Sequence, residues 1–274
     1  MTRIKLDKLA RCFARTVQSV MLQLGDRHSY MLKEDGKIVI ADSCVSVIKQ
    51  DKKEIYSISN RGFCDNYQRV IWPIKEDVLA DFRGVEALVK GMISRHFNGD
   101  RLNIYTTISP TSTNSEIKAL SDSIKHIDEV VSVPMAFKPI AIALGIGLDI
   151  YQTEPIHIVD IHCDTRGNRT CSGRFHYGIE LSTIAEGKLT NSEWLYAWED
   201  DVVKNVLSKI NATHPTLHIV GDCDDIYLYC RRFNESETCT AFVPDNPDCI
   251  TLLGLKKMAV DERYKGYFTH KDTI

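Results

Sequence analysis

Four short runs with strand character follow one another near the start of the chain, at residues 20–24, 29–32, 37–40 and 45–49, with the turn Glu34-Asp35-Gly36 between two of them. They read as antiparallel hairpins. Over residues 81–97 the apolar side chains Val85, Leu88, Val89, Met92, Ile93 and Phe97 recur at the three-and-four spacing of a helix with one buried face. A strand over 102–107 follows. The segment Thr113-Asn114-Ser115-Glu116 then has the form of a capping box opening a helix through Ile127, before a strand at 130–133 and a helix at 139–147. From Pro155 the order begins again. A strand at 156–163, a turn at 166–168, a strand at 169–175, a helix over 192–210, strands at 217–221 and 239–243 and a helix at 248–260 complete it. The residues do not repeat, but the order of elements does. Hairpins followed by alternating strands and helices, twice over, predict two α/β domains around a cleft. The expected spans are 21–152 and 153–274, joined across 151–155 and preceded by a segment at 1–20.

Composition narrows the function classes. The 274 residues carry 34 Lys+Arg against 37 Asp+Glu, a net charge of −3, which excludes nucleic-acid binding by bulk positive charge. Apolar residues at 43% and charged residues at 26% are ordinary globular usage, and a chain of this length buries a sizeable core without disulfides. The nine cysteines include no CxxC pair, and the N-terminus lacks an apolar signal core, so the expectation is a cytoplasmic protein with reduced thiols. The most apolar stretch, 139–150, is a dozen residues where a membrane span needs about twenty.

Residues 72–82, WPIKEDVLADF, resemble R-P-[ML]-K-[DE]-G-V-I-A-D-F, a stretch found in MreB-type bacterial actins. Residues 24–48 resemble that family's opening hairpins, 139–148 its EPMAAAIGAGL helix, and 158–161 its VVDIGGGT strand. Residues 218–221 and 240–249 are similar to its TGGGA loop and the VVVAEDPLTCV that follows. The resemblance implies a duplicated actin-like (ribonuclease H-like) α/β fold with two lobes around a cleft. The chain passes from Gly187 almost directly to the next expected helix, so the second small subdomain is expected to be reduced or absent.

The resemblance also implies a nucleotide site, built from Gly25, Asp26, Arg27, Asp160, Gly221 and Asp222, with Asp160 as the Mg²⁺ partner and Glu116 at the position of a catalytic glutamate. Such a site holds phosphate on glycine-lined turns whose backbone N–H groups face the ligand. This chain departs from the pattern on three loops. In the first turn Gln23 replaces an aspartate and Asp26 a threonine, so a carboxylate faces the phosphate position. One like-charge contact at roughly 4 Å and an effective dielectric near 20 costs about 4 kcal/mol before screening. In the second turn His162-Cys163-Asp164 replace three glycines, and in the adenosine loop Asp222-Cys223 replace two. Glu116 has two readings, the capping box and the catalytic role. Arg27 and His28 are cations that can meet a phosphate by a different geometry.

The expected function is therefore an actin-like cytoskeletal scaffold involved in cell shape, with a degenerate nucleotide cleft, assembling with itself or with another MreB-like filament protein. No cofactor is expected; ATP and Mg²⁺ belong to the alternative, an active ATPase of the same superfamily. Two further constellations stand out. His157, His162, Cys163, Cys171 and His176 are zinc-type ligands, but strand alternation sends His157 and His162 to opposite faces. At the N-terminus Leu6, Leu9 and Phe13 share a helical face opposite Lys8, Arg11 and Arg15, the pattern of a helix that contacts the inner face of a membrane or packs on its own domain.

Overall fold

The computed structural model describes residues 17–50, 53–58, 69–97, 99–163 and 176–268. The first half contains strands β1 (Val17–Gln23), β2 (His28–Leu32), β3 (Ile38–Asp42), β4 (Val45–Gln50), β5 (Lys53–Ile58) and β6 (Arg69–Ile71), then a small hairpin of β7 (Ile74–Lys75) and β8 (Val78–Leu79). Helix α1 (Phe82–His96), strand β9 (Arg101–Ile108), helix α2 (Asn114–Lys125), strands β10 (Val130–Ser132) and β11 (Met135–Phe137) and helix α3 (Lys138–Ile146) follow. The second half contains β12 (Ile156–Cys163), β13 (His176–Ala185), β14 (Lys188–Trp198), α4 (Val202–Leu207), β15 (Thr216–Val220), α5 (Ile226–Glu235), β16 (Thr240–Phe242) and α6 (Ile250–Val260), closed by a 3₁₀ turn over Glu262–Tyr267.

The duplication is one of topology. The first main sheet has the order β10-β9-β1-β2-β3, with β11 also on β9, and the second the order β14-β13-β12-β15-β16. Counted from the first strand of each half, both read third, second, first, fourth, fifth, one of them in reverse. The first three strands pair antiparallel and the last two join in parallel in both. In each half the first strand is therefore where the sheet changes from antiparallel to parallel, and the cleft lies beyond its carboxyl end.

Three apolar clusters hold this together. Val20, Leu22, Leu88, Met92, Ile104 and Ile124 pack the first sheet against α1 and α2. Val159, Ile161, Leu181, Val206, Ile219 and Phe233 pack the second against α4 and α5. Between the sheets, α3 and α6 meet through Ile140, Leu144, Leu252, Leu255 and Met258, with Met21 and Ile158 contributed by the two central strands. The α3–α6 contact is close because glycines line it. A Cβ at Gly145 would lie 2.2 Å from the Ile250 carbonyl oxygen, and one at Gly254 would lie 1.7 Å from that of Ala141.

The expected order of the other elements stands, with one correction and several additions. The predicted helix over 192–210 is instead the strand β14 followed by the short α4. The reason is the two-residue turn Glu186-Gly187, both at positive φ, which folds β14 back on β13 and lets Trp194, Tyr196 and Trp198 alternate at period two. The missing insertion shifts accordingly. Residues 43–81 fill the gap between β3 and α1 with five strands, whereas only residues 199–201 separate β14 from α4. Strands β5 to β8, β11 and β13 and helix α5 are additional to the sequence reading. The turn predicted at 166–168, the strand predicted at 169–175 and the N-terminal residues Leu6, Lys8, Leu9, Arg11, Phe13 and Arg15 lie outside the described residues.

Gly254→Ala forces a methyl group into the Ala141 carbonyl, so we expect a loss of about 1–3 kcal/mol of stability in urea unfolding. An unchanged midpoint and slope would mean that the two helices do not cross at this position.

Candidate functional site

All six residues that the resemblance assigned to nucleotide, Gly25, Asp26, Arg27, Asp160, Gly221 and Asp222, line one cleft between the halves. Gln23, His28, Asp77, Lys138, Ile142, His162 and Thr251 line it too. The sheet topology explains the convergence. The β1–β2 turn carries residues 24–27, and β12 presents Asp160 and His162 two apart on the same face. Gly221 follows β15 at φ 127°, where a Cβ would meet the Ile161 carbonyl at 2.2 Å. Glu116 is not among the lining residues. Its carboxylate accepts from the Thr113 backbone N–H at 2.7 Å, and its own N–H donates to Thr113 Oγ1 at 3.3 Å, a complete capping box.

The centre of the cleft is a buried ionic cluster. Lys138, the first residue of α3, pairs its Nζ with Asp77 Oδ2 and, at 2.7 Å, with Asp160 Oδ2. His162 Nε2 lies 3.4 Å from Asp77 Oδ2 and 3.4 Å from Asp160 Oδ1, and its Nδ1 lies 3.7 Å from Asp26 Oδ2. Trp194 packs against the His162 ring at 5.1 Å between centroids. Asp160 and Glu180 are cross-strand neighbours on β12 and β13, and Glu180 accepts from Ser192 Oγ at 3.1 Å and from Ser109 Oγ at 3.3 Å. These side chains leave a cavity of about 20 Å³, room for about one water.

Burial and charge set the proton inventory. Burial would lower His162, but Asp160 and Asp77 outweigh it and raise it to about 9. Burial would likewise lower Lys138, yet Asp160 and Asp77 push it up. For Asp160 burial acts upward and is outweighed by Lys138 and His162, which hold it well below the carboxylate range. Glu180 is raised to about 7 by burial and by Asp77, and Asp26 is raised by burial with His162 opposing. Two cations, Lys138 and His162, thus face the carboxylates Asp77 and Asp160, while Glu180 keeps its proton up to about pH 7.

Side chains also join the halves around the rim. Gln23 Nε2 donates to the Asp248 carbonyl at 2.8 Å, Arg27 Nη1 pairs with Asp224 at 2.9 Å, and His28 Nδ1 meets Asp222 Oδ2 at 2.8 Å. Tyr196 Oη donates to Glu76 on the β7–β8 turn at 2.5 Å. Arg27 and His28, which the sequence offered to a phosphate, are in contact with carboxylates of the second half.

Asp77, Lys138, Glu180 and Trp194 were not among the residues singled out from the sequence. Two of them were readable as departures from the motifs. Asp77 stands where the family pattern has glycine, at φ 57°, and Lys138 precedes Pro139 where the pattern has glutamate. With His162 in place of another glycine, three substitutions create mutually compensating charges. The zinc-type set does not assemble: His157 Nδ1 bonds Thr183 Oγ1 at 3.1 Å, His176 stacks on Tyr196, and Cys171 lies outside the described residues.

The family model of the MreB/Mbl protein matches residues 17–167, more than half of the chain. The chain belongs to the MreB/Mbl family. No curated protein sequence matches it. Among solved structures, MreB 5 of Spiroplasma citri bound to AMPPNP is similar with a TM-score of 0.68 at 13% identity, covering 92% of this chain and 98% of that one. The MamK double helical filament is similar with a TM-score of 0.60 at 11% identity, covering 90% and 99%. The archaeal actin homologue Ta0583 in complex with ADP gives 0.63 at 13%, covering 89% and 99%. These likenesses establish the actin-like fold. MreB/Mbl proteins are actin-like cytoskeletal proteins, and no helix among the described residues is long and apolar enough to cross a membrane.

The ionic cluster makes stability depend on pH. The folded state holds an extra proton on Glu180 between its ordinary value of 4.5 and about 7, and on His162 between 6.5 and about 9. Stability therefore falls as pH rises through both windows, by at most about 1.4 kcal/mol per pH unit for each group. Asp160 acts oppositely, its contribution present above its ordinary 3.8 and lost as pH falls toward its lowered value. Urea unfolding from about pH 5 to about pH 9.5 is expected to show this decline, and His162→Gln to flatten only its upper part. A flat wild-type profile would mean that the cluster does not carry these charges.

Proposed function

We propose that this protein is an MreB-like scaffold, a filament-forming or filament-joining protein of the cell-shape cytoskeleton, whose cleft has exchanged nucleotide for side chains. The observation that carries this reading is the Lys138 ammonium lying between Asp77 and Asp160 in a cavity of about 20 Å³. Small-molecule sites run to about 300–1,000 Å³. The residues present do not fit Mg-ATP: the carboxylate expected to face the metal already has a cation, and His162 stands where the motif has a glycine that phosphate approaches. Glu116, satisfied in its capping box, supplies no group to the cleft.

Self-association is supported by the family and by the likeness to MamK, whose structure is a double helical filament. The two halves, 21–152 and 153–274, act in this reading as lobes joined at α3 and α6. With only residues 199–201 where the first half carries an inserted subdomain, the second half offers a smaller surface to a neighbouring protomer. Filaments of the chain alone are then short, or depend on a complete partner of the same family.

Two measurements test this. Calorimetric titration of the metal-stripped protein with Mg-ATP is expected to show no binding tighter than about 100 μM, about −5.5 kcal/mol. Sedimentation and electron microscopy are expected to show assembly whose extent does not change on adding Mg-ATP. Mg²⁺-dependent binding below that concentration, or assembly that requires ATP, would restore the active ATPase.

A further inference from the structure

Lys138 is in an unfavourable place for a cation by every local criterion. It is 5% exposed, and it is the first residue of a helix, where the positive end of the backbone dipole repels an ammonium and favours carboxylates. An ionised lysine so buried persists only when oppositely charged groups surround it. Here they do, from two other elements. Asp77 comes from the turn between β7 and β8, Asp160 from β12, and the helix start supplies the lysine itself.

The atoms around the ammonium form a set that suits a metal ion. One ligand atom each from Asp77, Asp160 and His162 fall within 4.8 Å of one another. Two carboxylate oxygens and one imidazole nitrogen, the latter once an entering ion displaces its proton to solvent, form a mixed oxygen and nitrogen donor set that takes Mn²⁺ or Zn²⁺. Asp77 Oδ1, Asp160 Oδ1 and His162 Nε2 are buried without a hydrogen-bond partner, and Asp160 and His162 are 2% and 8% exposed. Oxygen atoms of the two carboxylates are thus already turned into a small polar space where the Lys138 ammonium is their nearest cation.

We propose that the Lys138 ammonium is a tethered replacement for a divalent cation, and that Asp77, Asp160 and His162 form a metal seat which the chain keeps filled with its own lysine. The proposal rests on the reading that the cleft does not take nucleotide, and it adds what occupies the cation position instead. The three motif departures agree with it. Lysine in place of glutamate reverses a charge at the head of α3, aspartate in place of glycine at position 77 supplies the second carboxylate, and histidine in place of glycine at position 162 supplies the imidazole. A resident cation also has a structural consequence. It joins the β7–β8 hairpin, α3 and β12 without a ligand, so the two halves are linked at the cleft whatever the nucleotide or metal concentration.

The test is Mn²⁺ binding followed by electron paramagnetic resonance, with thermal unfolding in parallel. The wild-type chain is expected to take up no Mn²⁺ and to melt at the same temperature with Mn²⁺ and with EDTA. Lys138→Ala vacates the seat. That variant is expected to melt lower in EDTA, to regain stability with Mn²⁺, and to bind the ion at least about tenfold tighter than the wild type. Adding Asp160→Asn to Lys138→Ala is expected to abolish the regain. A Lys138→Ala chain that folds only with Mn²⁺ supports the proposal equally. A variant that ignores Mn²⁺, folded or not, overturns it, as does a wild-type chain stabilised by Mn²⁺ in a way that Asp160→Asn removes. Mg-ATP titration of the wild type separates the two readings. Binding there overturns the nucleotide-free cleft, whereas silence to ATP with no Mn²⁺ uptake by Lys138→Ala overturns the tethered cation alone.

Discussion

The close crossing of α3 and α6 is the contact on which the rest of the molecule depends. Each helix ends its own half of the duplicated plan, and each packs on the inner side of its own sheet. Glycines at 145 and 254 bring the backbones near enough for a Cβ to clash with a carbonyl, so the spacing of the two sheets follows from the absence of two methyl groups. That spacing in turn sets the width of the cleft. With the sheets this near, side chains from the β1–β2 turn, the β7–β8 turn and β12 reach one another directly, and the start of α3 carries Lys138 into the gap.

What fills the gap is an exchange of one kind of electrostatic balance for another. A metal-nucleotide site balances carboxylates with an external cation and leaves backbone N–H groups bare for phosphate. This cleft balances Asp77 and Asp160 with Lys138 and His162, and it removes the glycines that close approach requires. Buried charges are costly to desolvate, and losing one member of such a set is costlier still. The cluster is therefore self-maintaining: each of its charges makes the others tolerable.

Much of the fold was legible in local pattern. The hairpin runs, the helical spacing from Val85 to Phe97 and the Thr113–Glu116 capping box each depend on neighbours within a few residues, and each forms where the pattern puts it. The segment after Gly187 was not. Trp194, Leu195, Trp198 and Val202 have spacings that suit a helix, but β13 offers a long buried partner edge and the Glu186-Gly187 turn delivers the chain to it. Pairing along ten residues of β13 outweighs the local preference. The candidate site divides similarly. Residues on the recognised turns converge because the turns do, whereas Glu180 belongs to a segment with no chemical motif and comes beside Asp160 only through the pairing of β12 with β13.

By itself the sequence determined the duplicated α/β order, the family it resembles and the loss of glycines from the phosphate turns, because periodicity, capping and turn chemistry are written in neighbouring residues. Only the tertiary structure decided that Glu116 stays in its cap, that Arg27 and His28 turn to carboxylates across the cleft, and that Lys138 stands between Asp77 and Asp160. The partners of a buried charge lie far away along the chain. Their identity is set by which elements the core brings together, and the sum of burial and charge that fixes their protonation exists only once it has done so.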